Sequence, residues 1–270
     1  MKRSWAASPE DRCMKRKHLI LISALAVIAS GAAVFLKTAY VVPVIMYHSI
    51  DHNDKTTKLS VSPESFERQM EFLHKRRYNV VGLDKVVSYM QKKEKVPPRT
   101  VAITFDDGFY NNYQYAYPAL KRYGIPATMF VITGKIGTPG YLGWDDLKEM
   151  VRSGLITIGS HTISHRWLPT TGTRQLEDEL RRSKDILHQG LGVEVKTFCY
   201  PIGAHNDRVK AKVKDAGYEC AVTTNPGHSA PSGDIYAVKR IKISRTSDNL
   251  FVFWIETSGY YTWVKEHRDE

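Results

Sequence analysis

The sequence predicts an α/β domain on a largely parallel sheet that curls into a barrel or a distorted relative of one. Two observations carry that expectation. From residue 41 onward, short runs rich in β-branched residues alternate with amphipathic stretches, the rhythm of parallel strands joined by crossover helices. Eight such apolar runs occur, enough strands to close a sheet on itself.

The strand candidates are residues 41–47, 78–82, 100–105, 127–132, 155–159, 196–200, 218–223 and 236–243. The first helix opens where Ser62 caps and Pro63 takes the first helical position, ahead of ESFERQMEFLHKR. Further helices are expected over 83–93, 113–122, 145–152, 174–189 and 207–216. Gly124, Gly154, Gly190 and Gly217 stand just past four of these, where a left-handed C-terminal cap belongs. The run FVFWIETSGYYTWV at 251–264 reads as a last helix packed by its aromatics.

At 270 residues and 42% apolar composition, the chain holds one folded domain, 41–270, plus a short appendage. Its formal charge is +11, and Lys2, Arg3, Arg12, Lys15, Arg16, Lys17 and Lys37 against Glu10 and Asp11 put +5 of it before residue 38. The rest has no basic run and no nucleic-acid module motif, which argues against a nucleic-acid partner and suits an anionic envelope or glycan. Residues 19–36 are uncharged and long enough to cross a bilayer as a helix, directly after Lys15, Arg16 and Lys17. They read as a signal anchor, with residues 1–18 a cytoplasmic basic segment and the domain outside. The alternative is a cleaved signal peptide, since Ala29-Ser30-Gly31 and Gly31-Ala32-Ala33 have the small residues for it. Met14 stands directly before the basic stretch, so Met1 and Met14 are both candidate starts. Cys13, Cys199 and Cys220 cannot build a disulfide framework. Cys199 and Cys220 fall in two strand candidates, as buried thiols or, in an oxidising compartment, a single bridge.

The unusual polar groups follow strand candidates, where parallel α/β folds gather their active-site loops. VAITFDDGF ends in Asp106 and Asp107, and Gly108 lets the backbone turn away from the sheet. LITIGSHTISH places His161 and His165 four apart, so that a helical turn there would put both imidazoles on one face. With Asp106 or Asp107 they make a two-His, one-carboxylate set with open positions for water and substrate, as a catalytic metal needs. Thr162 stands where an HExxH metalloprotease carries its Glu, so a base must come from elsewhere, and the spare aspartate supplies one.

TFDDG, SHTISH and FCYPIG together resemble the NodB-type polysaccharide deacetylases of carbohydrate esterase family 4, over roughly residues 41–245. The resemblance implies a distorted (β/α) barrel of about seven to eight parallel strands and one divalent ion, commonly Zn²⁺, with Co²⁺, Ni²⁺ or Fe²⁺ as alternatives. It implies Asp107, His161 and His165 as the metal ligands and Asp106 as general base. Pro201, Ile202 and Gly203 match the third motif, which makes the Ile202 backbone amide the oxyanion donor. The implied reaction removes N-acetyl groups from an N-acetylglucosamine-containing polysaccharide, either exopolysaccharide or peptidoglycan. A catalytically silent glycan-binding module and an esterase or amidase on another acylated glycan are the alternatives.

Two departures from the commoner pattern stand out. Cys199 and Tyr200 occupy the place of the arginine that orients the base, and Arg240, in AVKRIKIS, is a candidate replacement from a later strand. The C-terminal Leu-x-His that supplies the general acid is also missing. Instead VIMYHSI ends the first strand candidate with His48, which resembles the rearranged poly-N-acetylglucosamine deacetylase subgroup and makes His48 the expected acid.

Overall fold

The computed structural model describes residues 18–31, 34, 40–52, 59–92, 94–224 and 233–261. Two compact units result, Met1–Tyr40 and Val41–Glu270. In the first, residues 18–31 and 34 are helical, and the side chains of Leu19, Ile22, Val27 and Ile28 are exposed. Among the described residues no helix is long and apolar enough to cross a membrane. The expected span 19–36 lies partly outside the described residues, as does Cys13.

The second unit runs β1 (Val44–Tyr47), β2 (Ser49–Ile50), β3 (Ser60–Val61), α1 (Pro63–Lys75), β4 (Asn79–Val81), α2 (Leu83–Lys92), β5 (Thr100–Phe105) and α3 (Tyr117–Tyr123). It continues through β6 (Ala127–Val131), α4 (Trp144–Arg152), β7 (Ile156–Ser160), α5 (Thr173–Leu191), β8 (Thr197–Cys199), α6 (Asp207–Asp215), β9 (Cys220–Val222), β10 (Ile241–Lys242) and α7 (Leu250–Glu256). The main sheet is parallel at every described pairing, in the order β10-β1-β5-β6-β7-β8-β9, with β4 also on β5. The segment around β10 touches both ends of this path: Val238 bridges Val222 beside β9, and Ile241 and Lys242 pair with β1. The sheet is thus curled, and alternate residues face an interior and an outer helical layer.

That alternation sorts the core. Ile45, Tyr47, Ile103 and Phe105 pack outward with helix residues such as Phe66, Met70 and Leu120. Val44, Ala102, Phe130, Cys199 and Val222 form the other cluster, together with Leu83, Val86 and Met90 of α2. The apolar face of α2 therefore fills the interior where the strands begin, leaving the polar chemistry to the ends where they finish.

All eight strand candidates of the sequence contribute a paired segment, and Ser62 caps α1 by accepting from Ser65 N at 3.2 Å. Two expectations change, and two further findings accompany them. The helix expected over 113–122 is a π-helical turn, Asn112–Ala116, leading into α3. Pro118 has no amide and its ring crowds the carbonyl four residues back, so a regular α-helical ladder cannot run through it. α5 passes through Gly190 and is capped by Gly192 at φ 68°. Gly190 serves packing instead, because a Cβ there would run into the Trp144 ring. Of the two readings for Cys199 and Cys220, the structure has buried free thiols, set off by two residues in register because Cys220 pairs with Thr197 and Cys199 with Val222. Lastly, β2 and β3 form a two-stranded parallel pair too short for a sequence pattern to mark.

Candidate active site

β5 delivers two adjacent carboxylates with opposite fates. Asp106 continues the strand, donating its amide to the Tyr47 carbonyl, and its side chain is buried. Asp107 then enters the left-handed region at φ 72° and Gly108 follows at 74°, which folds the chain off the sheet. The Asp107 carboxylate is thereby separated from its neighbour and turned to the loop after β7.

In that loop His161 Nε2 lies 3.5 Å and His165 Nε2 3.6 Å from Asp107 Oδ1, and the two imidazole rings meet edge to face at 4.7 Å. No helical turn brings the histidines together. Thr162 and His165 adopt left-handed φ values of 67° and 56°, and the His165 amide donates to Thr162 Oγ1 at 2.9 Å. Left-handed backbone is costly for a β-branched residue and persists only where the surroundings impose it. Here the imposing group is Glu179 of α5. Its buried carboxylate accepts from the Ile163 amide at 2.8 Å, the Ser164 amide at 3.0 Å and Ser164 Oγ at 2.5 Å. The sequence reading missed Glu179. Its trace is a carboxylate on the apolar stripe Leu176, Leu180, Leu187 of an otherwise amphipathic helix.

The donor set suits a divalent cation. Asp107, His161 and His165 each offer one ligand atom, all within 4.8 Å of one another. Bonds of about 2.0–2.1 Å to a tetrahedral ion put its ligand atoms about 3.3 Å apart, close to the spacing here. The Cys199 carbonyl lies 2.8 Å from His161 Nδ1, the contact that fixes a proton on Nδ1 and leaves Nε2 as the lone-pair donor. A second grouping, Asp106, His161 and Cys199, is geometrically close but already spent. Its carboxylate is occupied by an arginine and its imidazole faces a carbonyl.

That arginine is Arg240, 1% exposed. Its Nη1 donates to Asp106 Oδ1 and its Nη2 to Oδ2, both at 2.7 Å, a bidentate fork. Nε donates to the Thr223 carbonyl at 3.0 Å, Nη1 also to Thr104 Oγ1 at 3.0 Å, and Nη2 to Cys199 Sγ at 3.1 Å. Burial works to raise the Asp106 pKa, and the charge and hydrogen bonds of Arg240 overcome it, holding the carboxyl well below the usual range. Cys199 fills the space left beside this pair; burial raises its thiol pKa.

His48 follows β1 and lines the same cleft, whose volume is about 630 Å³. Its carbonyl accepts from Asn112 Nδ2 at 2.9 Å, while its Nδ1 is buried without a described partner. Burial lowers the pKa of this imidazole, against the raising influence of Asp106 and Asp107. Ile202 completes the rim at φ 56°, with its side chain 62% exposed. Thr224 Oγ1 donates to the Ile202 carbonyl at 2.9 Å and Thr223 Oγ1 to that of Gly203 at 3.0 Å, pinning this strained turn. Thus Asp106, Asp107, His161, His165, His48, Ile202 and Arg240 all line one cleft. Tyr110, Tyr141, Trp144 and Trp167 do not line it, and Trp144 packs on the core.

The polysaccharide deacetylase family model matches residues 93–221. YxkH of Bacillus subtilis, itself named for polysaccharide deacetylase, is 36% identical over 217 residues, 80% of this chain and 76% of that protein. The chain belongs to the polysaccharide deacetylase family. Another relative, the poly-beta-1,6-N-acetyl-D-glucosamine N-deacetylase of Staphylococcus aureus, is 33% identical over 198 residues, 68% of either chain. Among solved structures, the Streptococcus pyogenes deacetylase PplD in complex with acetate superposes with a TM-score of 0.73 at 28% identity, covering 78% of this chain and 98% of that one. Membership in the polysaccharide deacetylase family makes the chain a hydrolase of N-acetyl amide bonds.

Proposed function

We propose that this deacetylase removes acetyl groups from N-acetylglucosamine units of an exported polysaccharide or of peptidoglycan, outside the cytoplasmic membrane, using one divalent ion, Zn²⁺ foremost. The observation that carries this reading is the division of labour between adjacent aspartates. Asp107 faces two imidazole nitrogens as a ligand set, while Asp106 is withheld from that set by the Arg240 fork.

When bound by Asp107, His161 and His165, the ion supplies Lewis acidity and lowers the pKa of the attacking water. Asp106 takes the proton of that water. Arg240 keeps this carboxylate ionised and fixes its orientation, trading basicity for certain availability. The Ile202 amide serves as a hydrogen-bond donor to the acetamide oxygen as charge grows there, and its pinned turn holds the donor in place beforehand. His48, the cleft imidazole outside the ligand set, returns a proton to the leaving nitrogen. Acetate and a free amine are released. The name of the Staphylococcus aureus relative and the acetate complex of PplD support the amino-sugar substrate and the product. The exposed apolar side chains of helix 18–31, behind Lys15, Arg16 and Lys17, support a membrane anchor with the domain outside.

The test is acetate release by the full chain, loaded with zinc, from N-acetylglucosamine oligomers and from peptidoglycan, beside a chelated control and His48→Ala. Chelator-sensitive release that His48→Ala abolishes is the expected result. Stoichiometric metal without release moves the reaction to another acylated glycan, and absence of metal leaves a glycan-binding module.

A further inference from the structure

The catalytic groups sit where strands end; a second surface gathers where they begin. Arg76 and Arg77 stand just before β4, with Tyr78 between, and Arg99 immediately precedes β5. All three are exposed, and none is ion-paired among the described residues. Arg99 Nη1 donates to the Arg76 carbonyl at 2.9 Å, and the Arg76 guanidinium lies over the Phe72 ring at 5.8 Å. Facing them from α7 are Phe251, 64% exposed, and Trp254, 47% exposed, with ring centroids 5.6 Å apart. Arg76, Arg99, Phe251 and Trp254, with Phe72, Tyr78 and Leu250, line a groove of about 630 Å³, and Arg77 stands beside Arg76 in sequence. Neither aromatic is needed by the core, which takes Phe253 from the same helix instead.

The chain enters the domain at this same end. Val41 precedes β1, and its amide donates to the Gly259 carbonyl at 3.0 Å, three residues past the end of α7. Between the apolar run 19–36 and Val41 stand only residues 37–40. Fully extended, that stretch spans at most about 15 Å. If 19–36 crosses a bilayer, the side of the domain where the strands begin must lie within that reach of the lipid headgroups.

We infer that the groove between α7 and the arginine-bearing turns before β4 and β5 rests on the membrane, with Trp254 and Phe251 in the headgroup region and Arg76, Arg77 and Arg99 on anionic lipid phosphates. Aromatic rings prefer that interface, and each basic residue near it gains from the negative surface potential. The active-site cleft, at the opposite strand ends, then points away from the bilayer toward polymer outside it. This inference rests on the anchor reading above.

The experiment uses the full chain reconstituted into vesicles of neutral phosphatidylcholine, with and without phosphatidylglycerol, containing lipids brominated high on the acyl chain. Tryptophan quenching is compared between the wild type and Trp254→Phe, so that the difference isolates Trp254. Expected is a quenched, blue-shifted Trp254 component that strengthens with phosphatidylglycerol and is lost in the paired Arg76→Gln, Arg99→Gln variant. A chain that incorporates while its Trp254 component stays unquenched overturns the docking surface and leaves the anchor standing. A chain that does not partition into vesicles overturns the anchor reading, and the inference with it. A Trp254 shift produced by soluble N-acetylglucosamine oligomers in the absence of vesicles also overturns it, by making the groove a sugar site.

Discussion

At the scale of single residues, the decisive object is the buried Asp106–Arg240 pair. A buried fork of this kind contributes little net stability, but breaking it leaves a charge stranded in the interior. Asp106→Asn should therefore destabilise the domain by about 3–5 kcal/mol at neutral pH, read from urea unfolding, besides abolishing acetate release. The pH dependence has a definite sign. Burial raises the Asp106 pKa and Arg240 lowers it further than burial raises it, so the folded value lies below the unfolded one. The stability this lends is complete above the unfolded pKa, about 3.9, and is lost as pH falls from there toward the folded value. The gap between wild type and Asp106→Asn should accordingly narrow as pH drops below about 4; a constant gap would mean that the pair does not couple to protonation. Arg240→Lys, which keeps charge but not the fork, should lose turnover while binding metal normally. The sequence offered Arg240 as a candidate to orient the base, with a surface arginine as the alternative, and the fork to Asp106 came only with the structure. Its burial is a property of the interior, which no local pattern reports.

Among elements, the loop after β7 shows how a helix behind a site can set its geometry. The spacing of His161 and His165 invited a helical turn, and the structure achieves the juxtaposition with two left-handed residues held by Glu179. Glu179→Gln keeps the shape but halves the acceptor capacity, so metal affinity should fall about 10–100-fold, the cost usual for disturbing a ligand's support. Competition with a chromophoric chelator measures this directly, and unchanged affinity would show that the loop holds itself. A second element-scale test concerns α5, whose Gly190 faces the Trp144 ring. Gly190→Ala ordinarily favours a helix interior, yet here it should cost about 1–3 kcal/mol through overpacking, with partial recovery in a Trp144→Leu background. In both cases the helix itself was legible from periodicity, while its C-terminal end and its packing partner were not.

For the whole molecule, the parallel curled sheet makes the domain's two ends chemically different, with α2 filling one and the metal-competent cleft opening at the other. Among the described residues there is no covalent staple, because Cys199 and Cys220 are free and out of register. Thiol reductants should leave the melting temperature unchanged, and a drop would reveal a bridge formed under oxidation. The sequence by itself determined the order of strands and helices, since periodicity, Ser62 and the capping glycines are local signals acting within a turn or two of the chain. It also determined which residue types carry chemistry, because paired aspartates and paired histidines after strands are visible in one dimension. Only the tertiary structure decided which aspartate meets the histidines, that Arg240 crosses from a later strand to hold the other, that His48 lies in the same cleft, and that Glu179 shapes the ligand loop. Those pairings join residues from about 15 to well over 100 positions apart, and they exist only once the sheet has curled and excluded the water that would otherwise satisfy each group alone.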